Sequence, residues 1–343
     1  MNDDDAWMND DGAGMLAVEW TRTISMAELE LFTRHPTCWD DRGTAIVRTR
    51  APNAVGVQFD RDALTAASQY FRKAFAQFDA IPKKRQPRAF GRPCFLIDGI
   101  ESFVFLISLV QDHMLLFSSW PEFASNGVLL NQAKRYMIIT GHWKVNRALY
   151  DAELLATLQR DWPESLDRWD FNVARTLDGT HHWPDAFEVA KFAHQFVGLL
   201  HPLLPALFYR VAVITSPDRI PKEAPALASS IEKGRTELER RRKQLFTDVA
   251  SMEPFKLCVT CAPKTAEIRN ELEYGLYTLP GAYIDILLCL YMLGVWFQEE
   301  EALCARCKGF VGLMIHQQRM SIWADLPTIF GTANLAPVVI ELD

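Results

Sequence analysis

Apolar residues crowd most densely between Pro280 and Met314, in PGAYIDILLCLYMLGVWFQEEEALCARCKGFVGLM. From Ile286 to Phe297 no residue is charged, and a helix apolar on every side must be buried all round, in a core, between subunits or in a membrane. Pro280 and Gly281 give a start signal, because proline loses nothing in a first turn. The pattern predicts one long helix or two collinear ones. A membrane span needs about 20 apolar residues; the run 282–297 falls short, carries Asp285 and meets Glu299-Glu300-Glu301. A buried helix of a soluble protein, with no membrane contact, is therefore the expectation.

The same reading along the chain predicts further helices. Asp60 caps one that runs to about Phe78, with Leu64, Ala67, Phe71, Phe75 and Phe78 on one face as core. The segment 94–117 turns helical after Asp98-Gly99, and helices are also expected from about 123 to 139, 149 to 158 and 184 to 200. In 226–246 the large apolar residues before Phe246 are Leu227, Ile231, Leu238 and Leu245, a single thin seam on a helix that otherwise faces water. Short strands are predicted at 44–49, 54–59 and 208–215, with a last one at 337–342. The expected fold class is mainly α: a large helical domain with a few short peripheral β-strands. Its parts would be an acidic flexible tail (1–14), a helical domain with short strands (15–216), a Pro-rich loop (217–225) and a helical C-terminal part (226–343) packed on the same core.

Composition agrees with a folded chain, since 49% of its 343 residues are hydrophobic and 23% charged, which excludes wholesale disorder. A net charge of −7 argues against a surface that is basic throughout, yet two local basic clusters stand out. Residues 81–93 hold Lys83, Lys84, Arg85, Arg88 and Arg92 with three prolines and no acid. Such an extended loop could contact phosphate, with Phe90 free to stack on a base, or could simply pair with acidic neighbours. Arg240, Arg241, Arg242 and Lys243 form the second cluster, softened by Glu237 and Glu239; it reads as a solvated face or an RNA- or partner-binding one.

Seven cysteines without a signal-peptide pattern at the N-terminus fit reduced thiols in a cytoplasmic setting. Four of them form two C-x-x-C pairs, Cys258/Cys261 and Cys304/Cys307, which could give four thiolates to a tetrahedral zinc. Against that stands the long interval between the pairs, filled by the apolar helix, and the expectation that Cys304 and Cys307 lie inside helix; inert thiols are the alternative. His194 and His201, seven apart, lack a third ligand, and Asp185 after His181-His182 fits a helix cap. No nucleotide-binding, zinc-protease or serine-hydrolase motif occurs, so no catalytic residue or small-molecule substrate is assigned.

In the segments HPLLPALFYRVAVIT, from His201, and YGLYTLPGAYIDILLCLYMLGVWF, from Tyr274, the chain resembles the helical coat proteins of small double-stranded-RNA viruses, the partitivirus-like group. The resemblance implies a non-enzymatic, homo-oligomeric capsid protein enclosing RNA, located in the cytoplasm or the virion, and carries over no functional residue. An intracellular enzyme or regulatory module stabilised by a four-cysteine zinc site is the rival, and a helical RNA-binding nucleoprotein the third reading.

Overall fold

The computed structural model describes residues 26–50, 53–97, 100–111, 128–179, 185–216, 218–251, 257–264, 266–267, 270, 285–301 and 303–335. The tail at 1–14, the helix start at Pro280, His181-His182 and the strand at 337–342 lie outside them. The fold is mainly α with one small sheet. The described residues form two compact units, 26–111 with 132–150, and 128–131 with 151–335.

In the first unit a short helix α1 (Met26–Leu29) precedes β1 (Thr33–Trp39), β2 (Ala45–Thr49) and β3 (Val55–Phe59). Two helices follow, α2 (Arg61–Ala67) and α3 (Gln69–Asp79), then β4 (Arg88–Ala89), β5 (Arg92–Ile97) and α4 (Glu101–Gln111). The sheet order is β1-β3-β2-β5-β4. β2 runs antiparallel to β3 (Val47 opposite Val57) and parallel to β5 (Val47 opposite Phe95). Alternation along the strands therefore sorts side chains onto two faces. Ala45, Val47, Val57, Phe59, Phe95 and Ile97 join the aromatic core with Phe71, Phe75, Phe78, Phe103 and Trp143. Ile46 and Cys94 point the other way, into a smaller cluster with Leu29, Ala89, Phe32 and Trp39. Gly56 is required there, because a side chain on it would collide with the Phe32 ring.

The single helix expected from 60 to 78 is broken at Ser68. Asp60 caps α2 as predicted, but Ser68 is extended and its Oγ accepts the Phe71 N–H, capping α3 afresh. The same hydroxyl donates to the Trp143 carbonyl, so the break serves a tertiary contact that no local pattern encodes. The 81–93 stretch is a one-turn 3-10 segment (Lys83–Arg85) and a tight β4–β5 hairpin rather than a plain loop.

The helices α5 (Val128–His142), α6 (Ala148–Asp161), α7 (Leu166–Leu177), α8 (Ala186–Gln195), α9 (Val197–Leu200) and α10 (Leu204–Ile214) come next, then α11 (Arg219–Glu223), α12 (Pro225–Ser251), α13 (Ile286–Glu299) and α14 (Ala305–Ile329). The strand expected at 208–215 is the second half of α10. Its β-branched residues favour a strand in isolation, but Pro205 sits in the first turn and α10 packs against α8, α12 and α14. Burial among helices decides the outcome, since periodicity cannot separate a buried strand from a buried helix in so short a run. The stretch 217–225, expected as a Pro-rich loop, contains α11, and residues on both sides of it belong to the second unit. α12 buries its predicted seam, Leu227, Ile231, Leu238 and Leu245.

The apolar stretch that dominates the sequence forms neither one helix nor a collinear pair. Asp285 caps α13 by accepting the Leu288 N–H at 2.9 Å, Glu300 turns extended, and α14 packs back along α13 as a hairpin. A Cβ on Gly312 would lie 2.7 Å from the Gln298 amide, and one on Gly294 would lie 3.7 Å from Ile315. These pairs put the two helices antiparallel. Among the described residues no single helix is long and apolar enough to cross a membrane.

Candidate metal centre

The hairpin brings the distant cysteine pairs together. Cys258 and Cys261 lie on a tight turn, closed by Cys261 and Ala262 N–H groups donating to the Cys258 carbonyl at 2.9 Å. On the other side, Cys304 is the N-cap residue of α14 and Cys307 lies in its first turn. Both pairs are thus placed by short hydrogen-bonded turns, and the 42 intervening residues matter less than where α13 ends. The expectation that Cys304 and Cys307 sit inside helix holds for Cys307 and is corrected for Cys304, which has extended backbone (φ −70°, ψ 156°), so its side chain is free of helical geometry.

All four Sγ atoms lie within 4.8 Å of one another, and Cys258 Sγ is 3.7 Å from Cys304 Sγ. A tetrahedron with Zn–S bonds of about 2.3 Å has S···S edges of about 3.8 Å. The set fits one tetrahedral ion and is too tight for an iron–sulfur cluster, which spreads its thiolates over several irons. The pairs also support each other reciprocally. Cys258 N–H donates to Cys307 Sγ and Cys304 N–H to Cys261 Sγ, both at 3.3 Å. N–H donors aimed at sulfur stabilise thiolate charge, and the N-terminus of α14 adds its dipole.

The four thiols differ in access: Cys261 and Cys307 are buried, Cys258 is half-buried and Cys304 exposed. As free thiols they share protons unevenly. Hydrogen bonds from the Cys261 backbone and thiol, and from the Cys304 thiol, bring Cys258 down to about 6. Cys261 is pushed up to about 12; the Cys304 N–H pulls it down, but burial and the neighbouring thiols outweigh that donor. A dication binding here must displace the protons that remain, so its affinity falls as the pH is lowered. With four protein thiolates no coordination position stays open, which is the pattern of a structural rather than a catalytic zinc.

Lys83, Lys84 and Arg85 are exposed on the 3-10 turn, whereas Arg88 donates to the Gly91 carbonyl and to Gln86, and Arg92 to Gln58 and the Asp41 carbonyl. In the second cluster every cation has a carboxylate: Arg240 and Arg241 share Glu237, Arg241 also reaches Asp325, and Arg242 and Lys243 share Glu239. Hydrogen bonds from Arg240 and then Arg241 hold Glu237 down at about 2. The geometry there is that of a solvated, salt-bridged helix face. His201 Nε2 lies 2.9 Å from the Thr332 carbonyl, and Asp185 caps α8 by accepting from Phe187 and Glu188.

Two buried polar clusters give no signal in the sequence. Arg319 grips Asp170 with both terminal nitrogens, donates to the Leu287 carbonyl at 3.2 Å and lies over the Tyr291 ring. Tyr209 donates to Asp285 at 2.6 Å and accepts the Leu287 N–H. Both tie α13 to its neighbours, which supports the hairpin that carries Cys304 and Cys307. No family model, curated protein or solved structure matches the chain.

Proposed function

We propose that this chain is a zinc-stabilised helical regulatory module, in which a four-cysteine site locks the turn at 258–261 onto the start of α14. The carrying observation is the four-sulfur set within 4.8 Å, with its paired N–H···S bonds. Closed four-thiolate coordination favours a folding role over hydrolysis or Lewis-acid chemistry, so the module acts through the surfaces that the metal holds in place. Metal analysis of protein purified without chelator should find about one zinc per chain. Under native conditions a thiol reagent should then reach none of the four ligands until a chelator is added. Cobalt(II) exchanged into the site should give the visible absorption of a tetrahedral thiolate complex. Metal-free protein that neither takes up cobalt nor protects its thiols after zinc addition would refute the reading.

Self-association, the property a shell-forming coat subunit needs, is a second reading, favoured by Met292, Val295, Phe310 and Leu313, apolar residues of the hairpin that remain exposed. Sizing chromatography and negative-stain microscopy, with and without RNA, test it; a strict monomer at high concentration that forms no particles excludes it.

A further inference from the structure

We propose that the first unit carries a binding face for single-stranded nucleic acid, built from Lys83, Lys84 and Arg85 together with the row of rings Phe90, Phe32 and Trp39. Phe90 is 52% exposed, and with Gly91 it forms the β4–β5 turn, both residues at positive φ (50° and 77°), as a two-residue I′ turn requires. A bulky aromatic residue is a poor choice for such a conformation. Glycine or asparagine would suit the turn, so the ring itself demands another explanation.

The ring's position supplies one. Phe90 meets Phe32 edge-on at 5.7 Å, Phe32 lies 5.9 Å from Trp39, and the Arg34 guanidinium stacks 4.6 Å above Trp39. The Phe90 N–H is held by Glu30 at 2.9 Å, which fixes the turn. The exposed Phe90 ring, backed by the half-buried Phe32 and Trp39 on the sheet side away from the main core, is a surface on which an unstacked base can stack with little regard to sequence. Phosphate needs cations nearby. Arg85 precedes Phe90 by five residues, a separation of at most about 17 Å of extended chain, within reach of a short strand. Among the described residues Lys83, Lys84 and Arg85 have no ion-pair partner. The carboxylates in the strand region have fixed partners: Glu30 accepts from the Phe90 N–H, Asp41 from the Trp39 indole, and Asp40 from the Arg42 N–H with the Arg42 guanidinium 3.8 Å away. Three exposed cations and an exposed ring thus lie within eight residues of one another in the chain, and a duplex, whose bases are already stacked, would use only the cations.

The test is anisotropy of a labelled oligouridylate of about 15 nucleotides titrated with the full chain between about 50 and 200 mM salt. Removing the three charges in a Lys83→Ala, Lys84→Ala, Arg85→Ala variant should flatten the slope of log affinity against log salt by about 2, at about 0.7 for each phosphate that is no longer neutralised. Phe90→Gly should weaken binding about 5- to 150-fold, while its melting temperature stays level or rises because glycine suits the turn. That separation of binding from stability distinguishes a stacking role from a packing one. No binding at 50 mM salt overturns the proposal, as does a Phe90→Gly protein that binds like the parent. Equal competition by polyglutamate on parent and Phe90→Gly also overturns it, because the patch would then be a plain electrode for acidic peptides.

Discussion

Substituting Cys304 by serine separates a metal centre from four idle thiols more sharply than any other single change. Cys304 is exposed, and a Cys→Ser change at an exposed site with no metal is nearly neutral, within about 0.5 kcal/mol. A bound metal alters the arithmetic. Zinc at a free concentration a thousandfold above its dissociation constant stabilises the native state by about 4 kcal/mol. In a unit of this size each kcal/mol moves the melting temperature by about 2 to 4 °C, so loss of the ion should lower it by roughly 8 to 16 °C. The Cys304→Ser protein should show that drop in zinc-containing buffer, and the parent should show it after chelation. Thiolates that share one ion act as a unit, so Cys258→Ser combined with Cys304→Ser should fall little further than either alone. The assay is thermal unfolding followed by far-UV circular dichroism, with and without chelator. If Cys304→Ser melts with the parent and chelator shifts neither, the four sulfurs are packed hydrophobes and the metal argument fails.

Three further outcomes are expected. Arg319→Ala should destabilise by about 3–5 kcal/mol in urea titrations, because it strands Asp170 and the Leu287 carbonyl; Asp170→Asn, which can still accept one guanidinium bond, should cost less. Burial raises Asp161 from 3.8 to about 6, opposed by Arg160, Arg175 and Arg168. The folded state then holds the proton more tightly, so stability contributed by protonated Asp161 is present below about pH 4, declines as pH rises through 6 and is absent above it, an effect of about 3 kcal/mol. Urea midpoints of Asp161→Asn across pH 4 to 7 should lack that decline. Gly56→Ala should cost about 1–3 kcal/mol by displacing Phe32, visible as a lower melting temperature with altered Trp39 fluorescence.

What the sequence can convey depends on whether the deciding interaction is local. Asp60 and Asp185 cap helices where expected, because a cap needs only the next three residues. The seam of α12 is equally legible, since Leu227, Ile231, Leu238 and Leu245 mark one face whatever they pack on. Ser68 shows the other case: its break in the helix is set by the Trp143 carbonyl, 75 residues away. α10 has the sequence of a strand because Val211, Val213 and Ile214 favour one, and three neighbouring helices override that preference. The cysteine pairs combine both situations. Their x-x spacing is visible and is what a metal needs locally, but the long interval between them counts against a shared ion only if sequence separation measures spatial separation. Here it does not. Glu300 turns the chain and Lys308 reaches back to the Gln298 carbonyl at 2.9 Å, so α14 begins beside the end of α13, where the 258–261 turn meets it. Two C-x-x-C pairs separated by a helix are thus compatible with one metal whenever the second pair opens the return helix, and Cys304 does so as the N-cap of α14.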